Sequence, residues 1–256
     1  MNCKAKRSIL EEDHWNTWPS EGNQIKIDCS LKELESCLKK NASDRLYYYV
    51  VDTADVGKDS RGLYNTGSGP NFQGGLITLC TCKHSMRATS YFDQSTWVAG
   101  VVNLGVSQKL GLNNNLLFYL GKVKHIFHHY GELIDFLKKE NPKAFLAKNA
   151  CNNIRGDIFQ PKRSARDFHD PEQYKYPCRD HVHNPHDSWK EDISYFYRDN
   201  PNKRSKYLMF DEEKSFAWCR EVIQIDRGKV YPNGRKVAIT SGYKSVRMKD
   251  FLDILI

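Results

Sequence analysis

Residues 45–51 read RLYYYVV, a run of aromatic and β-branched side chains that ends at Asp52-Thr53. Such texture predicts a β-strand, because these side chains suit a pleated, half-buried surface. Working outward, further strands are predicted at 76–80, 96–102, 116–123 and 207–210, while 216–225 reads equally as helix or strand. Helix signals are fewer. Ser30-Leu31-Lys32-Glu33 forms a possible capping box ahead of Leu31, Leu34 and Cys37, which fall on one face. A second helix is expected near 132–139, stopped by Asn141-Pro142, and a third as an amphipathic tail over 248–256. Short strands in close succession without regular crossover helices predict an α+β fold. The expected architecture is a curved or barrel-like mixed β-sheet with peripheral helices and a long irregular basic insert. Residues 1–44 read as an N-terminal helical extension, and 45–256 as one domain with its insert at about 150–204.

The chain has 256 residues, enough to bury a sizeable core. Lys and Arg number 39 against 31 Asp and Glu, a formal charge of +8 and a pI near 9.0. That excess favours a polyanionic partner, DNA, RNA or nucleotide phosphates, because neutralising phosphates releases condensed counterions. Eight cysteines are scattered without repeated spacing. The start, MNCKAKRSILEEDHW, has no apolar signal core, and no apolar stretch approaches the ~18 residues of a membrane span. A cytoplasmic location with reduced thiols, no disulfide framework and no membrane is therefore expected. The oligomeric state is open.

Between the strands at 45–51 and 76–80 lies a glycine-rich loop, 54–75, of a length more often functional than structural. Asp52 stands at its start, placed for general-base work or to stabilise a developing positive charge, or else as a turn cap. Asn65 and Asn71 within the loop can read a base edge or a sugar hydroxyl, or simply shape turns. Beyond the strand, Lys83 and Arg87 can converge with loop amides on an anion. Lys83 is alternatively an amine nucleophile toward a sugar carbon if desolvated. No second closely spaced cysteine pair accompanies Cys80 and Cys82 to complete a zinc site, so they read as packing thiols.

A second group of polar residues opens the insert: Asn153, Arg155 and Asp157, the last a second candidate carboxylate or a turn former. Basic clusters follow at Lys162, Arg163 and Arg166, and again at Arg198, Lys203, Arg204 and Lys206. Aromatics at 168, 174, 176, 195 and 197 are interleaved with them. Cations for phosphates beside rings for stacked or extruded bases are what nucleic-acid binding requires. Cys178, His181, His183 and His186 present four metal-ligand types within nine residues. Their pairs nearly touch, and a polar loop contacting phosphates is the preferred reading, with no metal or cofactor expected.

Taken in order, several short motifs resemble the nucleotide modification-associated domains. They are the strand ending in Asp52, Gly69-Pro70-Asn71-Phe72, the run from Leu76 through Thr78 to Lys83 with Arg87, and Trp97-Val-Ala-Gly100. Leu117-Phe-Tyr-Leu-Gly-Lys-Val123, Arg155-Gly-Asp-Ile158 and Tyr207-Leu-Met-Phe-Asp211 continue the series, which covers about 46–226. The longer loop at 54–68 and the histidine-rich insert depart from the pattern. The resemblance implies phage or anti-phage chemistry on modified DNA bases. The expected activity is that of a DNA glycosylase excising α-glucosylated hydroxymethylcytosine and leaving abasic sites. By position the resemblance assigns polar site roles to Asp52, Asn71, Lys83, Arg87 and Asp157. Either Asp52 or Asp157 would be the catalytic carboxylate, with Lys83 holding phosphate or attacking the sugar. Asn65, Asn71, Phe72, Thr78, Arg87, Asn153, Arg155, Lys162, Arg163 and Arg204 would contact substrate or DNA. A base-modifying transferase using a nucleotide donor and a non-catalytic reader of modified DNA are the rival readings.

Overall fold

The computed structural model describes residues 25–57, 62–149, 156–158, 162, 173, 204–240 and 242–256. The chain divides into two compact units. Among the described residues, a loop-and-helix unit takes 65–91, 125–149, 156–158, 162, 173 and 204–209. A sheet unit takes 25–57, 62–64, 92–124 and the described residues of 210–256.

In chain order the elements are β1 (Lys26–Ile27), α1 (Leu31–Leu38), β2 (Arg45–Val50), β3 (Ala54–Val56) and β4 (Leu63–Asn65). Next come β5 (Thr78–Leu79), α2 (His84–Thr89), β6 (Thr96–Val102), α3 (Leu104–Lys109) and β7 (Asn115–Phe127). They are followed by α4 (Tyr130–Glu140), α5 (Pro142–Lys148), β8 (Tyr207–Ala217), β9 (Gln224–Ile225), β10 (Tyr243–Arg247) and α6 (Met248–Leu252). The main sheet runs β1-β8-β7-β6-β2-β10, with β5 also on β8 and β9 on β7. It is mixed: β2 runs parallel to β6, β6 antiparallel to β7, and β10 antiparallel to β2. The α+β class with a large mixed sheet and peripheral helices thus holds. The sheet does not close into a barrel, because its path ends at β1 and β10, which do not pair with each other.

RLYYYVV is the inner strand as read, and every residue from Leu46 to Val51 is buried. Its tyrosines are tolerated inside because their hydroxyls find partners. Tyr48 Oη lies 2.8 Å from Tyr231 Oη, and Tyr49 Oη lies 2.9 Å from Tyr119 Oη. Neighbouring β6 carries a glycine, Gly100, where a Cβ would lie 2.4 Å from the Tyr119 ring and 2.5 Å from Val51 Cγ2. Just past it the β6–β7 register shifts, from Gly100 opposite Tyr119 to Val101 opposite Leu117. The extra residue, Phe118, turns its carbonyl to accept the Trp218 amide at 3.0 Å, so the bulge leaves that acceptor satisfied.

Ser30 caps α1 as the sequence predicts: its Oγ accepts from the Glu33 amide, and the Ser30 amide donates to the Glu33 carboxylate at 2.8 Å. The buried face, however, is Leu34 and Leu38, whereas Cys37 is exposed. The 3.6-residue period carries Cys37 off the stripe that Leu34 and Leu38 share. These two leucines pack into the same core as Leu46, Tyr48, Trp97 and Phe251.

Other boundaries shift as well. The strand expected at 76–80 shrinks to β5, and residues 80–82 bend toward α2. The loop at 54–75 contains β3 and β4, a small two-stranded sheet of its own. The strand beginning at Tyr207 runs on to Ala217, and only Gln224–Ile225 of the 216–225 segment's remainder is strand. The tail helix stops at Leu252. Among the described residues, no helix is long and apolar enough to cross a membrane.

Candidate functional site

A buried polar network lies in the loop-and-helix unit, and two local facts build it. First, the 3₁₀ turn Gln73–Gly75 holds Gly74 at φ 72°, a left-handed conformation that favours glycine. A Cβ there would come 2.4 Å from Ala144 Cα, so the bare backbone lets α5 pack directly on the turn. Lys148 follows Ala144 by four residues and shares its helix face. That contact therefore carries the lysine inward beside Asn71, and its side chain is only 1% exposed. Lys148 Nζ donates to Asn71 Oδ1 at 2.6 Å and to the Asn71 carbonyl at 3.2 Å.

Second, Asn71 and Thr78 face each other across a short antiparallel bridge, with amide-to-carbonyl distances of 2.9 and 3.0 Å. Thr78 Oγ1 then donates to Asp157 Oδ2 at 2.5 Å. Tyr130 Oη, at the start of α4, donates to the Asp157 backbone carbonyl. The next residue, Ile158, anchors the segment in the apolar cluster of Leu76, Leu133, Leu137 and Tyr207. Lysine, asparagine, threonine and aspartate thus form one continuous chain of contacts.

Asp157 has no exposed surface, and its second oxygen, Oδ1, lacks a hydrogen-bond partner among the described residues. A buried acceptor left unpaired costs about 1–3 kcal/mol, and more when charged. The Cys80 thiol adjoins this carboxylate, but a thiol is a weak donor and does not fill the vacancy by hydrogen-bond geometry. Burial, and then the charge of Asp157, push the Cys80 thiol well above its usual range, with Arg87 and Lys148 acting the other way. Cys80 is therefore a protonated, unreactive thiol. Burial holds the Lys148 ammonium below the ordinary lysine value, while Asp157 and Cys80 pull it back up. Such an amine keeps a larger neutral fraction than a surface lysine does.

The sequence-derived candidates separate into groups. Asn71, Thr78 and Asp157 come together in this chain of contacts. Asn65 is buried nearby in sequence and shapes the loop, donating to the Pro70 carbonyl at 2.8 Å and accepting from the Gly67 amide at 3.0 Å. Phe72 is 1% exposed and is the N-cap residue of the same turn. Arg87 is fully buried. Its Nε donates to the Cys82 carbonyl at 2.7 Å, Nη1 donates to the Lys206 carbonyl, and Nη2 lies 3.1 Å from His84 Nδ1. Lys206 Nζ reciprocates, donating to the Ala88 and Ser90 carbonyls at the end of α2. These contacts lock α2 to the start of β8.

Lys83 caps α2 from a left-handed conformation, φ 55°, and is half-buried. Lys162 is exposed and Arg204 half-buried. Asp52 is exposed on a turn after β2 and belongs to the sheet unit. Asn153, Arg155, Arg163 and the Cys178, His181, His183 and His186 group lie outside the described residues.

Lys148, Cys80 and Tyr130 were not among the sequence candidates for this site. The signal for Lys148 is present in PKAFLAK, where the lysine stands one helical turn after the alanine that meets a glycine-rich turn. Comparison with family models, with curated proteins and with solved structures returned no match for the chain.

Proposed function

We propose that the chain is a DNA glycosylase that removes a bulky modified cytosine, a glucosylated hydroxymethylcytosine, from phage DNA. The N-glycosidic bond is hydrolysed, an abasic site is left, and the setting is anti-phage defence in the cytoplasm. The observation that carries this reading is the buried Asp157 carboxylate, with one oxygen fixed by Thr78 and the other without a hydrogen-bond partner among the described residues.

Cleavage of an N-glycosidic bond builds positive charge on the sugar. A fixed carboxylate in dry surroundings stabilises that charge far better than one in water, where the dielectric screens it. With a nucleotide admitted to the site, which requires the cover over Asp157 to open, its Oδ1 would face C1′ or take a proton from an attacking water, while Thr78 prevents the carboxyl from rotating away. Asp52, the rival carboxylate, is exposed to water and lacks this advantage. The +8 charge supports a nucleic-acid partner, and the basic, aromatic-rich insert supplies the residue types for holding a strand and an extruded base.

The test is incubation with glucosylated phage DNA and with unmodified DNA, followed by heating in alkali. Strand breaks confined to the modified DNA are expected. Intact strands with selective retention would replace this reading with a reader of modified DNA. A requirement for an added nucleotide would replace it with a transferase.

A further inference from the structure

We propose that Lys26 and Cys37 form a redox-sensitive pair: peroxide oxidises the Cys37 thiol, and the Lys26 amine captures the oxidised sulfur in a reversible Sγ–Nζ bond. The pair lies in the sheet unit and does not depend on the chemistry proposed at Asp157.

Two elements bring the groups together. β1 runs parallel to β8 with Lys26 opposite Phe216, so the two side chains share one face of the sheet. Phe216 belongs to the same core cluster as Leu34 and Leu38 of α1. The Lys26 ammonium stands 5.4 Å from the centroid of the Phe216 ring, a cation–π distance that steers it along the edge of this cluster. Cys37 is the residue that the helical period turns off the buried stripe of α1. There Lys26 Nζ donates to Cys37 Sγ at 3.0 Å. Both residues are exposed, so a small oxidant reaches the sulfur without any opening of the fold.

A surface lysine ordinarily faces water or a carboxylate, and Glu33 stands one helical turn before Cys37. Its Oε2, however, accepts from the Ser30 amide at 2.8 Å and from the Ser30 hydroxyl at 2.7 Å in the helix cap. The hydrogen bond of Lys26 goes to the thiol instead. The other thiol of this region, Cys29, is half-buried and packs against the core cluster. An amine already in contact with the sulfur captures it in an effectively unimolecular step, ahead of a second molecule of oxidant.

The step balances with one hydrogen peroxide. Its O–O bond breaks as an Sγ–O bond forms, leaving Cys37 as a sulfenic acid and releasing one water. Lys26 Nζ gives a proton to solvent and then bonds to Sγ as the S–O bond breaks. The departing hydroxyl takes a further proton from the nitrogen and leaves as a second water. Sulfur is oxidised by two electrons and the peroxide is reduced by two. The new bond ties β1, the end strand of the sheet, to α1, and two equivalents of a thiol reductant restore both side chains.

The test treats the full chain with hydrogen peroxide, alkylates the remaining thiols, and maps peptides by mass without reductant. A pair of peptides joined through Lys26 and Cys37, lighter by about 2 Da than the sum of the two unmodified peptides, is expected, and dithiothreitol should release it. The link should form within about twofold of the same yield in Cys29→Ser and be absent in Cys37→Ser. In Lys26→Gln, Cys37 should run on to sulfinic acid at least ~5-fold faster. Lys26 and Cys37 are exposed, and the mapping on the unaltered chain decides the matter by itself. Cys37 joined to Cys29 or to another thiol, or converted to sulfinic acid with no link to Lys26, would overturn the assignment.

Discussion

In the sheet unit the buried hydroxyls of the inner strand come in pairs, Tyr48 with Tyr231 and Tyr49 with Tyr119. In the loop-and-helix unit, Ser90 Oγ, Asn149 Oδ1 and Asp157 Oδ1 are buried without a partner among the described residues, and these three atoms all fall in that one unit. Both units contain a well-formed apolar cluster, so neither is short of packing. The difference lies in what each does with polarity. Paired hydroxyls in a sheet stabilise a single arrangement at little net cost. A carboxylate with a spare oxygen, held beside a buried lysine, keeps a free-energy penalty that a purely structural core would have shed. That contrast is the physical ground for proposing chemistry at Asp157 and not in the sheet unit.

Substitutions in the two units should differ in size and in kind. Lys148→Met removes the donor from two oxygens of Asn71 and a buried cation that interacts with the Asp157 charge. A stability loss on the order of 3–5 kcal/mol is expected in urea unfolding; a loss below about 1 kcal/mol would mean the lysine is not integral to the network. Arg87→Met frees the Cys82 and Lys206 carbonyls and unlocks α2, with an expected loss of about 3 kcal/mol and no change in the protein's preference among DNA substrates. In the sheet unit, Tyr49→Phe should cost only about 1 kcal/mol and leave base release unaltered.

The pH dependence has opposite signs in the two units. The folded-state value of Lys148 lies below its reference of 10.5, so between the two the unfolded chain holds the extra proton. Stability from this group therefore rises with pH across that window. Tyr48 and Tyr231 are shifted upward by burial, above their reference of 10.0, and their contribution is present below about that pH and lost above it. Unfolding measured from pH 8 to 11 should show a shallower rise, or a steeper fall, in Lys148→Met than in the unaltered chain. Smallest in energy is a thiol contrast. Exposed Cys37 should react with iodoacetamide in the folded protein while Cys80, buried and held protonated, does not. Rapid labelling of Cys80 would mean the site opens readily to solvent.

The sheet was legible from the sequence because its signals are local. RLYYYVV and the run over 96–102 declare themselves by composition, and Ser30 and Glu33 by a spacing of three. Cys37 was misplaced because the true stripe, Leu34 and Leu38, differs from it by one residue. The open form of the sheet was not legible, since closure depends on which strands become neighbours. At the site, Asn71, Thr78 and Asp157 were each picked out, but for separate reasons. What joins them is a long-range bridge and the packing of α5 on Gly74. No composition or period announces that contact, and Lys148 went unnoticed with it. Arg87 illustrates the converse: a cation placed as though for an anion is fully buried against carbonyls of its own chain.

The most direct measurement is the single-turnover rate of free-base release from glucosylated phage DNA by the unaltered chain and by Asp157→Asn. Asparagine keeps the size of the side chain and an oxygen to accept from Thr78, but loses the charge. A fall of roughly 10²–10⁴-fold is expected, with unmodified DNA yielding no free base from either protein. Release by Asp157→Asn within a few-fold of the unaltered chain would contradict the assignment of catalysis to this carboxylate.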